Sequence, residues 1–352
     1  STPKPSSAAS DVYKRQMKML EVNNLTTEFS TENGTVKAVR DVSFYVDKGE
    51  VLGIVGESGS GKSQTMFSVM GLLAANGKVT SGSIKIDGKE ISPLSFDSNK
   101  KYEATMDDIR GNDMAMIFQD PMTFLNPTLK IETQLIEPII NHNPGISKTD
   151  ARNKAIDLMK KVGIPSPEKR INQYPHQFSG GMRQRIIIAI ALACDPKIII
   201  ADEPTTALDV TIQAQVLELI SSLKDEIDSG IIMITHDLGV VASICDRIAI
   251  MYGGKIVEMG TTDEIFYSPK HPYTKGLLSC ISNPEDTERK ELHPIPGSPP
   301  DLLNISDGCP FVDRCEDAMN ICPLKMDEYR EYSATHICSC WLGNPMALKK
   351  GE

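Results

Sequence analysis

The octapeptide Gly56-Glu57-Ser58-Gly59-Ser60-Gly61-Lys62-Ser63 constrains this chain more than any other stretch. It fits the pattern GxxxxGK[ST], and it sits between an apolar run at 51–55 and a helical pattern that begins at Lys62. Strand, glycine loop and helix open an α/β unit. Gly56, Gly59 and Gly61 let the backbone amides turn inward around the β- and γ-phosphates of a nucleotide, and the following helix adds its positive N-terminal end. Lys62 is then expected to reach the phosphate oxygens, and the Ser63 hydroxyl to ligate Mg²⁺.

A second half of such a site lies in Ile198-Ile199-Ile200-Ala201-Asp202-Glu203, an apolar run that ends in two carboxylates. Alone, this pattern is a common strand end. After a phosphate loop, Asp202 is expected to hold Mg²⁺ and Glu203 to orient and polarise the attacking water of a phosphoryl transfer.

Composition narrows the class. A length of 352 residues suggests about two domains. With 37 basic against 47 acidic side chains the net charge is −10, which argues against a general nucleic-acid binder. The longest uninterrupted apolar run covers 186–194, far short of the roughly 20 residues that a membrane span needs. Membrane association is therefore expected only through a partner. Residues 1–16 are rich in Ser, Pro and Lys and lack an apolar segment, so they read as a disordered, non-native leader, with the native protein starting at Met17.

The layout is that of an α/β protein. β-like runs at 19–22, 42–46 and 51–55 open the chain, and alternating residues at 83–87 predict a further strand beside the first ones. Between 128 and 177 the pattern turns helical. Ser147, with Asp150 three residues on, can cap a helix that places Ala151, Ala155, Met159 and Val162 on one face. Runs at 198–201 and 231–234 read as buried parallel strands, and 247–251 as another. Pro296, Gly297, Pro299 and Pro300 mark a linker at 295–303.

Phe178-Ser179-Gly180-Gly181-Met182-Arg183-Gln184 resembles the LSGGQ signature of ABC transporter nucleotide-binding subunits, with Phe178 for Leu and Met182 for Gln. The other landmarks fall in that family's order. Gln119 resembles the Q-loop glutamine that senses Mg²⁺ or γ-phosphate, Ala207-Leu208-Asp209 the D-loop, and His236 the switch histidine at the γ-phosphate. Phe29 is the first candidate to stack on adenine, with Tyr45 the alternative. The resemblance implies a P-loop NTPase fold: a RecA-like core, an antiparallel β subdomain and an inserted helical subdomain at about 125–185, all within 17–260, followed by a small Cys-rich C-terminal domain at 261–352. It also implies ATP hydrolysis with Mg²⁺, in a dimer where one chain's phosphate loop faces the other's Ser179, Gly180 and Gly181.

Further stretches resemble the D-type ATPase subunit of oligopeptide/dipeptide importers, a group that includes nickel importers. These are 120–127, Tyr174-Pro175-His176-Gln177-Phe178, 271–278 and 295–300. The resemblance implies a bacterial importer with two transmembrane permease subunits, an extracytoplasmic solute-binding protein and a second, F-type ATPase as partner, with a homodimer as the alternative. It places the chain at the cytoplasmic face of the cell membrane. Oligopeptide or dipeptide is the expected cargo, with nickel or a metal chelate, or a non-transport ABC ATPase, as alternatives.

Eight cysteines in a chain with no visible export signal point to thiols or metal ligands rather than disulfides. Five crowd together as Cys309-x5-Cys315-x6-Cys322-x15-Cys338-x-Cys340. The spacing lacks tight C-x2-C pairs, and on chemistry alone zinc, an iron–sulfur cluster and free thiols all stay open. The family resemblance favours a [4Fe–4S] cluster on Cys309, Cys315, Cys322 and Cys340, with Cys338 as the alternative fourth ligand and zinc as the alternative metal.

Overall fold

A computed structural model describes residues 17–118, 121–205, 209–226, 228–280, 295–303 and 305–345. The proposed leader and Gln119, Ala207 and Leu208 lie outside them. Two sheets organise the chain. The first is antiparallel and holds β1 (Lys18–Thr31), β2 (Gly34–Asp47), β4 (Gly77–Ile86) and β5 (Lys89–Glu90) in the order β2-β1-β4-β5. The second adds β3 (Val51–Val55), β6 (Met114–Ile117), β7 (Ile198–Asp202), β8 (Gly230–Thr235), β9 (Arg247–Tyr252), β10 (Lys255–Thr261), β11 (Arg330–Glu331) and β12 (Ile337–Cys338). Its order is β11-β12-β10-β9-β3-β8-β7-β6.

The pairings from β9 through β3, β8 and β7 to β6 are parallel, and the rest of this sheet is antiparallel. Every residue of β3, β6, β7, β8 and β9 is buried. Continuous apolar runs are what a parallel sheet covered on both faces requires. Alternate residues serve opposite cores. Ile199, Ala201, Ile231 and Met233 pack toward the helices, while Ile198, Ile200, Ile232 and Ile234 pack toward the antiparallel sheet and the helix Lys62–Met70.

Five α-helices among the described residues, Pro121–Phe124, Ile131–His142, Lys148–Lys161, Pro167–Arg170 and Gly180–Ala191, stand between β6 and β7. Ser147 caps the helix Lys148–Lys161: its Oγ accepts from the Asp150 amide at 3.1 Å and donates to the Asp150 carboxylate at 2.7 Å. Ala151, Ala155, Met159 and Val162 are all buried. In the antiparallel sheet the strands run well beyond their expected bounds. The runs at 19–22 and 42–46 are pieces of a hairpin of two long strands, whose alternation is interrupted by register shifts between Val22 and Leu25 and between Leu25 and Thr27. Among the described residues no helix is long and apolar enough to cross a membrane.

The tail is built into this architecture. β12 pairs with β10, joining Glu258 to Cys338 and Met259 to Ile337. Leu303 bridges to Val36 of β2. A buried His336 Nε2 lies 2.7 Å from Glu258 Oε1, and that carboxylate also accepts from the amides of Lys270 and His271.

Candidate functional site

The carboxyl ends of β3, β7 and β8 meet at one edge of the parallel sheet, where an open α/β sheet places its ligand crevice. β3 ends in Val55 and the chain turns at Gly56, where a Cβ would come within 2.1 Å of the Met251 carbonyl. Gly61 has φ of +101°, and a Cβ there would meet the Ala38 carbonyl at 2.4 Å. A side chain at either position would force the loop open. Lys62 begins the helix Lys62–Met70, is buried, and donates from Nζ to the carbonyls of Gly56 at 2.7 Å and Glu57 at 2.9 Å. Burial pushes its ammonium below the usual lysine range, against the opposing pull of Glu203 and Asp202.

The Ser63 hydroxyl donates to Asp202 Oδ1 at 3.2 Å. Asp202 closes β7 and is buried, and burial raises its pKa while the Ser63 hydrogen bond lowers it. A hydroxyl beside a desolvated carboxylate is a donor set suited to a hard cation such as Mg²⁺. Glu203 follows in left-handed backbone, φ +46°, its amide donating to the Ile234 carbonyl at 2.9 Å. Its Oε1 stands 3.3 Å from Nδ1 of His236, which is 65% exposed just beyond β8. A non-glycine residue in this conformation costs on the order of 1 kcal/mol, and such strain gathers at working sites.

A cleft of about 440 Å³ opens over the loop. Phe29, Val36 and Ala38 line one part of it, Ser58, Gly59, Ser60, Gly61, Lys62, Ser63 and Gln64 the floor, and Glu203 another part. Phe29 thus stands at this cleft. Tyr45 does not line it: its ring lies 4.1 Å from the Arg247 guanidinium and 4.9 Å from the Lys18 ammonium.

Ser179 caps the helix Gly180–Ala191, its side chain accepting from the Met182 amide. Ser179 and Gly180 are exposed, whereas Gly181 is packed so closely that a Cβ would meet Ile212 at 2.5 Å. None of the three lines the cleft. Asp209, also exposed, stands before the helix Val210–Glu226 and accepts from the Gln213 amide. Within one chain, therefore, the fold gathers Lys62, Ser63, Asp202, Glu203 and His236 and leaves the signature residues apart.

Residues 39–206 match the family model described as "ABC transporter". Residues 257–322 match the one described as "Oligopeptide/dipeptide transporter, C-terminal region". The chain is 52% identical to the oligopeptide transport ATP-binding protein OppD of Bacillus subtilis, an alignment that covers 95% of this chain and 92% of that protein. The chain belongs to the ABC transporter ATPase family. The dipeptide transport ATP-binding protein DppD of Lactococcus lactis is likewise 52% identical, over 94% of this ATPase and 93% of its own length. Among solved structures, the dimeric post-hydrolysis state of the ATP-binding cassette MJ0796 bound to ADP and Pi is 28% identical. It superposes with a TM-score of 0.60, covering 69% of this chain and 99% of its own.

The structure also brings to the ATPase site residues that pattern reading passed over. Leu302, from the proline-rich linker, lines the cleft with Phe29, and its carbonyl accepts from the Lys37 amide. Gln184 is buried and donates to the Pro204 carbonyl at 2.8 Å, tying the signature helix to the turn after Glu203. Tyr273 accepts from the Glu57 amide at 2.9 Å, and Arg314 binds the Glu57 carboxylate. Leu302 and Tyr273 lie in or beside stretches already singled out, but nothing in either sequence stretch specifies what it touches.

The cysteines divide unevenly. Cys309, Cys315, Cys322 and Cys340 line one enclosed cavity with His271, Met319 and Trp341, whereas Cys338 lies outside it in β12. Burial raises the thiol pKa of Cys309 to about 12 and of Cys340 to about 11. His271 is wholly buried; its Nδ1 accepts from the Tyr273 amide, and its Nε2 finds no partner among the described residues. Among the described residues, no group of three or more His, Cys, Asp or Glu side chains stands placed to hold a metal ion. Neither the expected iron–sulfur cluster nor zinc therefore finds a placed ligand set among these residues, since thiolates on one centre must converge to about 2.3 Å from it.

Proposed function

We propose that this ABC ATPase energises the import of oligopeptides or dipeptides, working as a peripheral subunit at the cytoplasmic face of the cell membrane. The reading is supported by its likeness, over nearly the whole chain, to two relatives named for oligopeptide and dipeptide transport. Nothing in the site or in those relatives favours the nickel or the non-transport alternative, and both are dropped. Its partners are then two transmembrane permeases, a second ATPase of the F-type rather than a second copy, and indirectly an extracytoplasmic solute-binding protein. We divide the chain into an ATPase domain at 17–260, with its helical subdomain at about 125–185, and a C-terminal region at 261–352.

The observation that carries the catalytic reading is the convergence of Ser63 with Asp202 and of Glu203 with His236 at the edge of a phosphate-loop cleft. The loop amides between Gly56 and Gly61, that of Glu57 apart, and the Lys62 ammonium bind the terminal phosphates, and Phe29 packs against the base. Ser63 and Asp202, with Gln119, would hold Mg²⁺, which would supply neutralisation of the charge on the phosphates. Glu203 orients the attacking water and accepts its proton, while His236 contacts the γ-phosphate and holds the Glu203 carboxylate in place. Ser179, Gly180 and Gly181 complete the site of the facing subunit, and Asp209 lies at that same junction. ATP therefore favours a closed pair and hydrolysis an open one, a two-state element whose motion the permeases receive.

At the cysteine cavity our reading is a [4Fe–4S] cluster on Cys309, Cys315, Cys322 and Cys340, with Cys338 as the alternative fourth ligand and zinc as the alternative metal; what favours it is that these four cysteines line one cavity. The cluster would supply a cross-link through a region with little core of its own. Iron and sulfide analysis with visible absorbance near 400 nm on an anaerobic preparation tests it; their absence removes the cluster. For the transport reading, the decisive experiment is purification from detergent-solubilised membranes. Recovery with two integral permeases is expected, and recovery without them under conditions that keep a transporter intact would refute it.

A further inference from the structure

The C-terminal region reaches back to the phosphate loop through one side chain. Arg314 ends the turn Val312–Arg314, and its side chain is only 6% exposed. All five of its guanidinium N–H groups find acceptors. Nη1 donates to Glu57 Oε2 at 2.6 Å and to the Tyr252 hydroxyl at 3.0 Å. Nη2 donates to Glu57 Oε1 at 3.1 Å and to the Ile295 carbonyl at 3.2 Å, and Nε donates to the Pro296 carbonyl at 2.8 Å. The fork therefore meets the Glu57 carboxylate with both prongs, the geometry in which arginine binds most strongly and for which lysine is a poor substitute.

Glu57 is gripped a second time. Its amide donates to the Tyr273 hydroxyl at 2.9 Å, and the Tyr273 ring packs on Tyr252 and Phe311. Its own carbonyl in turn accepts from Lys62 Nζ at 2.9 Å. A continuous line thus runs from Arg314 through Glu57 to Lys62. Glu57 itself does not line the cleft, so its carboxylate is directed to the tail and not to a ligand. A glycine-rich loop has many conformations to lose when it closes round a phosphate. Fixing residue 57 in advance removes part of that cost, which is how preorganisation raises affinity.

We propose that Arg314 is a positioning residue for nucleotide binding: it fixes Glu57, and through it the phosphate loop, with Tyr273 as the second anchor. The inference rests on reading this loop as the nucleotide site, and the experiment separates the two. The dissociation constant of a fluorescent ATP analogue is measured on the full chain for wild type, Lys62→Ala, Arg314→Met, Arg314→Lys, Glu57→Gln and the double variant Glu57→Gln/Arg314→Met. Charge-assisted pairs of this kind predict about tenfold weaker binding for Arg314→Met and for Glu57→Gln, and a smaller loss for Arg314→Lys. The double variant should bind no worse than the weaker single one, because both remove one interaction. In steady state KM for ATP should rise while kcat moves less than about twofold. Hydrogen exchange across 56–63 should quicken.

A mere staple of the tail would lower the melting temperature and leave affinity and exchange in the loop unchanged; that result overturns the proposal. If Arg314→Met does not fold, Glu57→Gln decides alone, and wild-type affinity in it is equally fatal. If Lys62→Ala also binds normally, the nucleotide reading itself fails. If Lys62→Ala weakens binding while the Arg314 and Glu57 variants do not, only this inference falls.

Discussion

The parallel-sheet core and the C-terminal region hold their shape by different means. In the core, β3, β7, β8 and β9 bury every residue, and Ile198, Ile200, Ile232 and Ile234 interlock with the neighbouring sheet. Each such side chain removed from water is worth roughly 1.5–3 kcal/mol. In the stretch 305–345, the strands β11 and β12 have two residues each, and the rest is short turns. Beyond Phe311 and Met326, which pack into the core, what fastens it are polar contacts: Arg314 to Glu57, His336 to Glu258, the Ser339 amide to the Val257 carbonyl, and the Tyr329 hydroxyl to the Ile256 carbonyl. The core is thus organised by area and the tail by specific pairs, so the two should respond differently to the same kind of damage.

The largest expected effect lies where the core meets its chemistry. Glu203→Gln should retain ATP binding and reduce phosphate release by about 10²- to 10⁴-fold, the usual worth of a positioned proton acceptor. Turnover at the parental rate would remove Glu203 from that role. Next, Ile200→Ala should cost about 2–5 kcal/mol in denaturant melts, as for any fully buried large aliphatic. A loss below about 1 kcal/mol would mean that the core is less tightly filled than its burial indicates.

Asp202→Asn sharpens the comparison by opposing stability to function. Burial raises the Asp202 pKa above its ordinary 3.8, so ionising this side chain weakens the fold. Well below that pKa, both variants are neutral at this position and equally stable. As pH rises, the wild type bears the cost and the asparagine variant does not. The variant's relative stability should therefore grow as pH rises to neutral, and it should lose Mg²⁺-dependent turnover. A variant whose advantage shrank with rising pH would reverse this sign. The smallest effect belongs to the tail. Trp341→Phe removes the indole donor to the Lys325 carbonyl, 2.7 Å away at an exposed site, and should cost about 0.5–1.5 kcal/mol. Chemical melts of the two variants side by side would show whether tail and core unfold together.

The same contrast decides what sequence could reveal. The phosphate loop was legible because its chemistry is local: glycines, a lysine and a hydroxyl within one short stretch, between a strand and a helix. Ser147 and Asp150 were legible for the same reason, as near neighbours in the chain. The buried runs at 198–201 and 231–234 announced themselves by continuous apolarity and lie within β7 and β8. Arg314 and Leu302 carried no such mark. Arg314 meets Glu57 across 257 positions of chain, Leu302 reaches Phe29 across a comparable span, and no periodicity encodes partners that distant. β10 and β12 were passed over because a mixed run such as Lys255–Thr261 becomes a strand only when its neighbours in space are known. Which cysteines share a cavity was likewise a matter of geometry: spacing treats Cys338 and Cys340 as near equals, yet β12 turns them to different places.

One feature of β10 reaches beyond the single molecule. Its middle five residues are buried, and its outer edge is taken by β12, with Ser339 and Tyr329 closing the preceding carbonyls of Val257 and Ile256. Stripped of that cover, an apolar strand would present its free amides and carbonyls at the rim of the larger sheet, and such rims recruit strands from other molecules. The short antiparallel cap thus keeps copies of the protein from zipping together, and a chain shortened ahead of it would be expected to precipitate before it lost its fold.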